Sequence, residues 1–553
     1  MFGTGVHSPE DRRFVGLADG VVDDVVAREP VLATRMGDHR FDGRLPNLTE
    51  EGVEEYLRVL RRHSSFLVSV DALSLSRQPA ADLRILRGGV SRRLFELSQI
   101  KAHEWNPLVW NPADALYTLL ARSSPADPSL VPALLSRLEQ VPEFLDSARH
   151  TLGTMPGIHV EVAISQLQQL PGLFEDELGG LAEYPGVAEA VNDTLEAVAG
   201  HVQWLQRELP RSTRSPAIGE RLYSEYIKHS LEFDGTPDDL RRLALEDLEK
   251  VSEELASMSA KYLGGSMADR DVSAKALARL AAGSSVSDDN VLDIATRALA
   301  DAAEFVAQRA LVTVPQVDVK IDLMTPVHRG VAVAYCDAPG PLEERDLPAI
   351  IGISPTPSDW SADRRASYYA EYNQHMIYDL IVHEGIPGHL LQQTMARRAT
   401  PPTKVRAAMP SGLFVEGWAV YAEELMARSG FVVSPEERAS LRIQQLKMQL
   451  RTILNTLLDI GVHYDMMSEA EARRLLVTRG FQQEGEVVGK WRRAQLTYGQ
   501  LGTYYLGYKS VAALVDELKE NNPGWRQRRI HDTVLSQGSV SPQHLRGLVG
   551  LGP

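Results

Sequence analysis

Apolar positions recur every three or four residues through most of this chain, a spacing that predicts amphipathic helices packed on one another. The stretch DDLRRLALEDLEKVSEELASMSAKYL (238–263) sets leucines at helical spacing with acids and bases between them. ASLRIQQLKMQLRTILNTLLDIGVHYDMM (439–467) carries the same pattern further, and GVEEYLRVLRRHSSFLVSVDAL (52–73) is a third example. TPDDL (236–240) and SPEER (434–438) read as helix starts: Thr or Ser as N-cap, proline in the first position, acids in the first turn.

One region changes period. QVDVKIDLMTP (316–326) alternates apolar and polar residues, and GVAVAYCDAPGP (330–341) and LPAIIGISPTP (347–357) follow with Pro/Gly punctuation. Together they predict two or three short strands. There is no internal repeat and no low-complexity segment. The expected fold is therefore mainly α, with a helical lobe over 1–315 and a second lobe over 316–553 that opens with a small sheet (316–357). No flexible linker separates the two, so one intimate fold is expected rather than independent domains.

Composition narrows the function classes. Of 553 residues, 44% are hydrophobic, enough to bury a substantial core. The 74 acidic residues outnumber the 58 basic ones for a formal charge of −16, with no basic cluster, which argues against a nucleic-acid partner. Cys336 is the only cysteine, so a metal here must be held by histidine and carboxylate. The opening MFGTGVHSPEDRRF lacks the basic and apolar regions of an export signal, and no apolar run approaches a membrane span. The expected setting is the cytoplasm, with no membrane partner.

HEGIPGH (383–389) bears the chemistry. The zinc-binding pattern H-E-x-x-H sets two histidines four apart on one helix face. Here His383 and His389 are six apart, which on an undisturbed helix leaves them about 240° from each other. Pro387 lacks an N–H, its ring opposes the carbonyl of His383, and Gly388 tolerates unusual backbone angles. If two residues bulge out of the ladder, His389 returns to the position of an i+4 ligand. Catalytic zinc usually takes a third protein ligand. Glu416, in LFVEGWAVYAEELM (413–426), is the candidate, and Glu423 on the same helix face could brace a ligand histidine. Glu384 then falls into the role of general base toward a metal-activated water. Candidate donors to a developing oxyanion are Tyr504 and Tyr505 of GQLGTYYLGYKS (499–510) and His463 of DIGVHYD (459–465).

HEGIPGHLLQ together with FVEGWAVYAEEL resembles the DUF885 family, bacterial proteins regarded as zinc metallopeptidase-like members of the gluzincin group. Segments 16–49, 218–240 and 499–507 also look like family segments, so the resemblance runs through the chain. It implies a two-lobed helical fold similar to thimet oligopeptidase, angiotensin-converting enzyme and the Taq-type carboxypeptidases, with a deep cleft edged by a small sheet. LPAIIGISP (347–355) would be the matching edge strand, able to take a peptide by strand addition. Carried over residue by residue, His383, His389 and Glu416 are the zinc ligands, Glu384 is the base, and Tyr504 matches the tyrosine of the GQxxxYxxG pattern. Leu390, Asn455 and Met467 stand where the family often has histidine, arginine and tryptophan.

The expected function is a zinc-dependent peptidase acting on short peptides. Arg442 and Arg451, on the 439–467 helix, could anchor a substrate carboxylate. Two other readings fit the same residues: a helical peptide-binding protein with a structural or idle metal site, and a hydrolase of a non-peptide amide. Two histidines and a carboxylate suit zinc, though manganese or cobalt could occupy such a site.

Overall fold

A computed structural model describes residues 8–120, 127–325, 333–357, 360–432 and 434–552. Residues 1–7, 326 and 330–332, which belong to the opening segment and the expected strands above, lie outside the described residues. The fold is mainly helical with one small sheet. The helix starts read from the sequence carry capping boxes. Thr236 and Asp239 exchange side-chain and backbone hydrogen bonds at the head of Pro237–Leu263, and Ser434 and Glu437 do so at the head of Pro435–His463. Leu240, Leu248 and Leu255 on the first of these face inward and are buried, as their spacing requires. The second stops at His463 rather than continuing to 467. Met466 takes a left-handed backbone (φ 59°), and Ser468 caps the next helix, Glu469–Gly480. In the helix Glu50–Ser69, Leu57 and Leu60 are buried while Phe66 and Val68 near its end face solvent.

The sheet comprises β1 (Val319–Leu323), β2 (Ala334–Asp337) and β3 (Ala349–Ile353) in the order β1-β3-β2. β3 runs parallel to β1, pairing Ile351 with Ile321, and antiparallel to β2, pairing Ile351 with Cys336. The 347–355 segment expected at the edge is thus the central strand, and β1 and β2 are the edges among the described residues. The apolar run of β3 explains this: Ala349, Ile351 and Ile353 are all buried, the signature of a strand covered by neighbours.

Packing draws on both sides of residue 315. One core joins Leu240, Leu248 and Leu255 to Leu446, Leu450 and Ile453, and another joins Ile294 and Ala298 to Ile351, Met376, Trp418 and Val511. Among the described residues, no helix is long and apolar enough to cross a membrane.

An ionic cluster ties the N-terminal segment to the loop before β3. Glu343 accepts from Arg345 at 2.8–2.9 Å and faces His39 Nε2 at 3.0 Å, while His39 Nδ1 lies 2.8 Å from Asp42. Burial alone would push the Glu343 carboxyl up, but Arg345 and His39 hold it down at about 2. A depressed carboxylate stabilises the fold above its unfolded value of about 4.5 and stops doing so as pH falls toward 2. Melting temperature measured from pH 5 to pH 2.5 should therefore fall less steeply in Glu343→Gln than in the unaltered chain. Parallel curves would show that the cluster contributes nothing to acid sensitivity.

Candidate metal centre

The helix Gln374–Glu384 carries His383 and Glu384 to its last turn, and a second helix, His389–Arg398, starts at the other histidine. Between them the Gly388 amide donates to the Val382 carbonyl (3.0 Å) and that of Leu391 to Gly385 (3.4 Å). Each bond spans six residues where a helix spans four, so two residues are looped out and the ladder resumes beyond them. The Ile386–Pro387 peptide is cis. Gly388 is obligatory here: a β-carbon would lie 2.0 Å from the His383 carbonyl oxygen and 2.3 Å from that of Val382. The indole N–H of Trp418 donates to the Pro387 carbonyl at 2.8 Å, pinning the loop to the helix Gly412–Ser429.

The looped-out pair brings the two imidazoles edge to face, ring centres 4.7 Å apart. Glu416 Oε2 lies 3.6 Å from His383 Nε2 and 3.5 Å from His389 Nε2. Those separations are long for hydrogen bonds, and Glu416 Oε2 is buried without a hydrogen-bond partner. They suit a shared cation instead. Two donor atoms each about 2.0–2.1 Å from a tetrahedral zinc stand about 3.4 Å apart. The ligand atoms of His383, His389 and Glu416 all lie within 4.8 Å of one another, so the donor set fits zinc in number, type and spacing.

Supporting groups fix this set. Glu423 Oε1 is 2.6 Å from His383 Nδ1, so the Nδ1–H tautomer leaves the Nε2 lone pair facing the cage. Burial would push His383 down, yet Glu416 and Glu423 hold it well above its ordinary value. Burial would push Glu416 up, yet the two imidazoles opposite hold it well below the usual carboxylate range. Asp379, four residues before His383 on the same helix, is buried beside Glu423, and burial and that neighbouring carboxylate push it up. Glu384 is buried and makes no hydrogen bond or ion pair with a described residue.

Glu416 and Tyr504 ride on two helices that cross on glycine. A β-carbon on Gly417 would stand 2.3 Å from the Gly507 backbone, and one on Gly507 would stand 2.2 Å from the Leu413 carbonyl oxygen. Gly507→Ala forces the helices Gly412–Ser429 and Gly502–Asn521 apart and is expected to cost about 1–3 kcal/mol. Chemical denaturation measures this, and an unchanged midpoint would mean that the crossing relaxes freely. The Tyr504 hydroxyl accepts from Arg493 Nη2 at 3.0 Å. Burial first and the nearby Glu416 charge second push this phenol up, so it stays protonated.

The other sequence candidates are placed elsewhere. Tyr505, one residue on and so about 100° around the helix, donates to Asp247 at 2.8 Å, a carboxylate that Lys509 also meets at 2.6 Å. His463 is buried, with Nε2 facing the carbonyls of Ala494 (2.8 Å) and Thr497 (2.7 Å) and its ring stacked on Tyr223. It closes the end of the helix Glu484–Leu496 and does not join the cage. Arg442 is engaged by Glu254 (2.6 Å) and Arg451 by Glu486 (2.6 Å), so neither is left over for a substrate carboxylate. Asp379, Trp418 and Arg493 join the site without being among the candidate residues above. The first had a signal, since it stands one helical turn before His383.

Two cavities of about 650 and 640 Å³ have linings that include neither His383 nor His389, one formed by Glu50, Lys101 and His150 among others, the other by Met395, Arg528 and Asp532 among others.

A family described as bacterial protein of unknown function matches residues 30–549. Two solved structures share the fold over nearly their whole length. A candidate lipoprotein of unknown function from Shewanella oneidensis is 25% identical, with a TM-score of 0.77 over 96% of this chain and 98% of that one. A candidate lipoprotein from Colwellia psychrerythraea is 15% identical, with a TM-score of 0.78 over 98% of each chain. Comparison with curated proteins gives no match.

Proposed function

The chain belongs to the DUF885 family, and we propose that it is a zinc-dependent peptidase of the gluzincin kind, hydrolysing short peptides at the histidine cage. The observation that supports this most is the juxtaposition of a three-ligand set, His383, His389 and Glu416, with an unengaged buried carboxylate, Glu384, next to the first ligand. A purely structural metal site has no use for such a base. Zinc bound by these residues supplies Lewis acidity, which polarises a carbonyl and brings the pKa of a water to about 7.

The chain's own groups do the rest. Glu384 accepts the proton of the attacking water and returns it to the departing amine, so the C–N bond breaks without expelling an amide anion. Tyr504 donates its O–H to the carbonyl oxygen as negative charge gathers there. Arg493, by donating to the phenol oxygen, makes that O–H a better donor. Glu423 keeps the His383 ring turned toward the cage. Residence in the cytoplasm belongs to the same proposal.

Elemental analysis of the purified protein, followed by a short-peptide library with products read by mass spectrometry, tests the reading. About one zinc per chain and cleaved peptides are expected. Zinc-loaded protein that cleaves none of them would remove the peptidase function.

A further inference from the structure

Building on the peptidase reading, we propose that Lys490 and Arg493 bind the C-terminal carboxylate of the peptide, which makes the enzyme an exopeptidase working from the free carboxyl end. The two residues stand three apart on the helix Glu484–Leu496 and so share a face. Arg493 donates to the Tyr504 hydroxyl at 3.0 Å, and its charge and that of Glu416 feel each other, which sets this face at the border of the cage.

The charges around that face do not balance. Glu486 is taken by Arg451 at 2.6 Å and also accepts the Tyr372 hydroxyl. Glu371, from the neighbouring helix Ala362–Glu371, is taken by Lys447 at 2.6 Å. Among the described residues, Arg493 donates to neutral oxygens alone, those of Tyr504 and, at 3.5 Å, Gln500. Lys490, half-buried, makes no hydrogen bond or ion pair with a described residue. Burial first, then Arg451 and Arg493, hold its ammonium well below the ordinary lysine range in spite of Glu486. Two basic side chains therefore stand together with no carboxylate hydrogen-bonded or ion-paired to either among the described residues, in a chain whose formal charge is −16. Charging both is costly unless an anion joins them. A peptide brings one at its C-terminus. Arg493 is a single hydrogen bond from Tyr504, and a peptide advances about 3.5 Å per residue. A carboxylate gripped here therefore lies one or two residues beyond the bond to be cut.

The test uses zinc-loaded full-length protein and a panel of N-acetylated tri- and tetrapeptides. Each is prepared as the free acid, as the carboxamide, and as the carboxamide with aspartate in the last position. Calorimetry gives affinity and mass spectrometry gives cleavage. Free acids should bind at least about tenfold more tightly than carboxamides, the range of hydrogen bonds to charged groups. Lys490→Met should collapse that preference and Lys490→Arg should retain most of it, with thermal melts confirming that both fold. Equal affinity for acid and carboxamide overturns the proposal on the unaltered chain alone, whatever the variants do. Aspartyl carboxamides that match the free acids overturn the terminal assignment in favour of an acidic side chain. Preferential binding without cleavage would leave the carboxylate site standing and remove the peptidase reading. Cleavage of both forms without preference would do the reverse.

Discussion

Exchanging Glu384 for glutamine is expected to lower kcat by about 10²–10⁴ while zinc content stays at the level of the unaltered protein. The substitution keeps the size and burial of the side chain and removes only its capacity to take a proton. Glu384 makes no hydrogen bond or ion pair with a described residue, so the exchange breaks no structural pairing and the melting temperature should move little. The readouts are steady-state cleavage of whichever peptide the library screen yields, metal analysis, and a thermal melt. Retained turnover with full metal content would take the base role away from Glu384. Loss of metal together with turnover would place Glu384 among the groups that hold the ion.

Replacing His389 by alanine should have the largest effect on the metal itself. It removes one of the three donor atoms, and a four-coordinate zinc held by all three would have just one position left for water. The zinc content is expected to fall from about one per chain to a small fraction, and activity with it. Stability gives an independent measure. A ligand that binds only the folded state at 100 times its Kd adds about 2.7 kcal/mol. Zinc should therefore raise the unfolding midpoint of the unaltered chain and leave that of His389→Ala nearly where it was. The same midpoint gain in both would mean that zinc binds elsewhere. A full complement of zinc in the variant would mean that His389 is not a ligand.

Much of the secondary structure can be read from the chain because the information is local. Thr236 with Asp239 and Ser434 with Glu437 announce helix starts through hydrogen bonds that span three residues. The Pro-Gly pair inside the histidine motif likewise signals its own distortion. Position in space is another matter. The alternating 316–357 region predicts strands, but their order depends on which strand the helices bury, and Ile351 and Ile353 reach the centre for that reason. The family pattern singles out Tyr504, but residue type and helical spacing alone do not separate it from Tyr505. Which of them lies nearer Glu416 follows from the close crossing at Gly417 and Gly507, a contact between residues about ninety apart in sequence. His463 has the composition of a catalytic histidine and the surroundings of a structural one, and those surroundings come from carbonyls some thirty residues downstream.

The two long-span backbone bonds at the histidine loop would also make zinc binding by the proposed cage observable without chemistry. The amides of Gly388 and Leu391 reach across the insertion, and each can exchange its hydrogen with solvent only when the stretch between the two histidines lets go. A cation held from both ends of that stretch would have to be released, or its ligands strained, before either amide opened. The exchange rates of these two amides should therefore slow in step with zinc occupancy. They would serve as a clock for how often the cage comes apart, readable in the resting protein before any substrate is known.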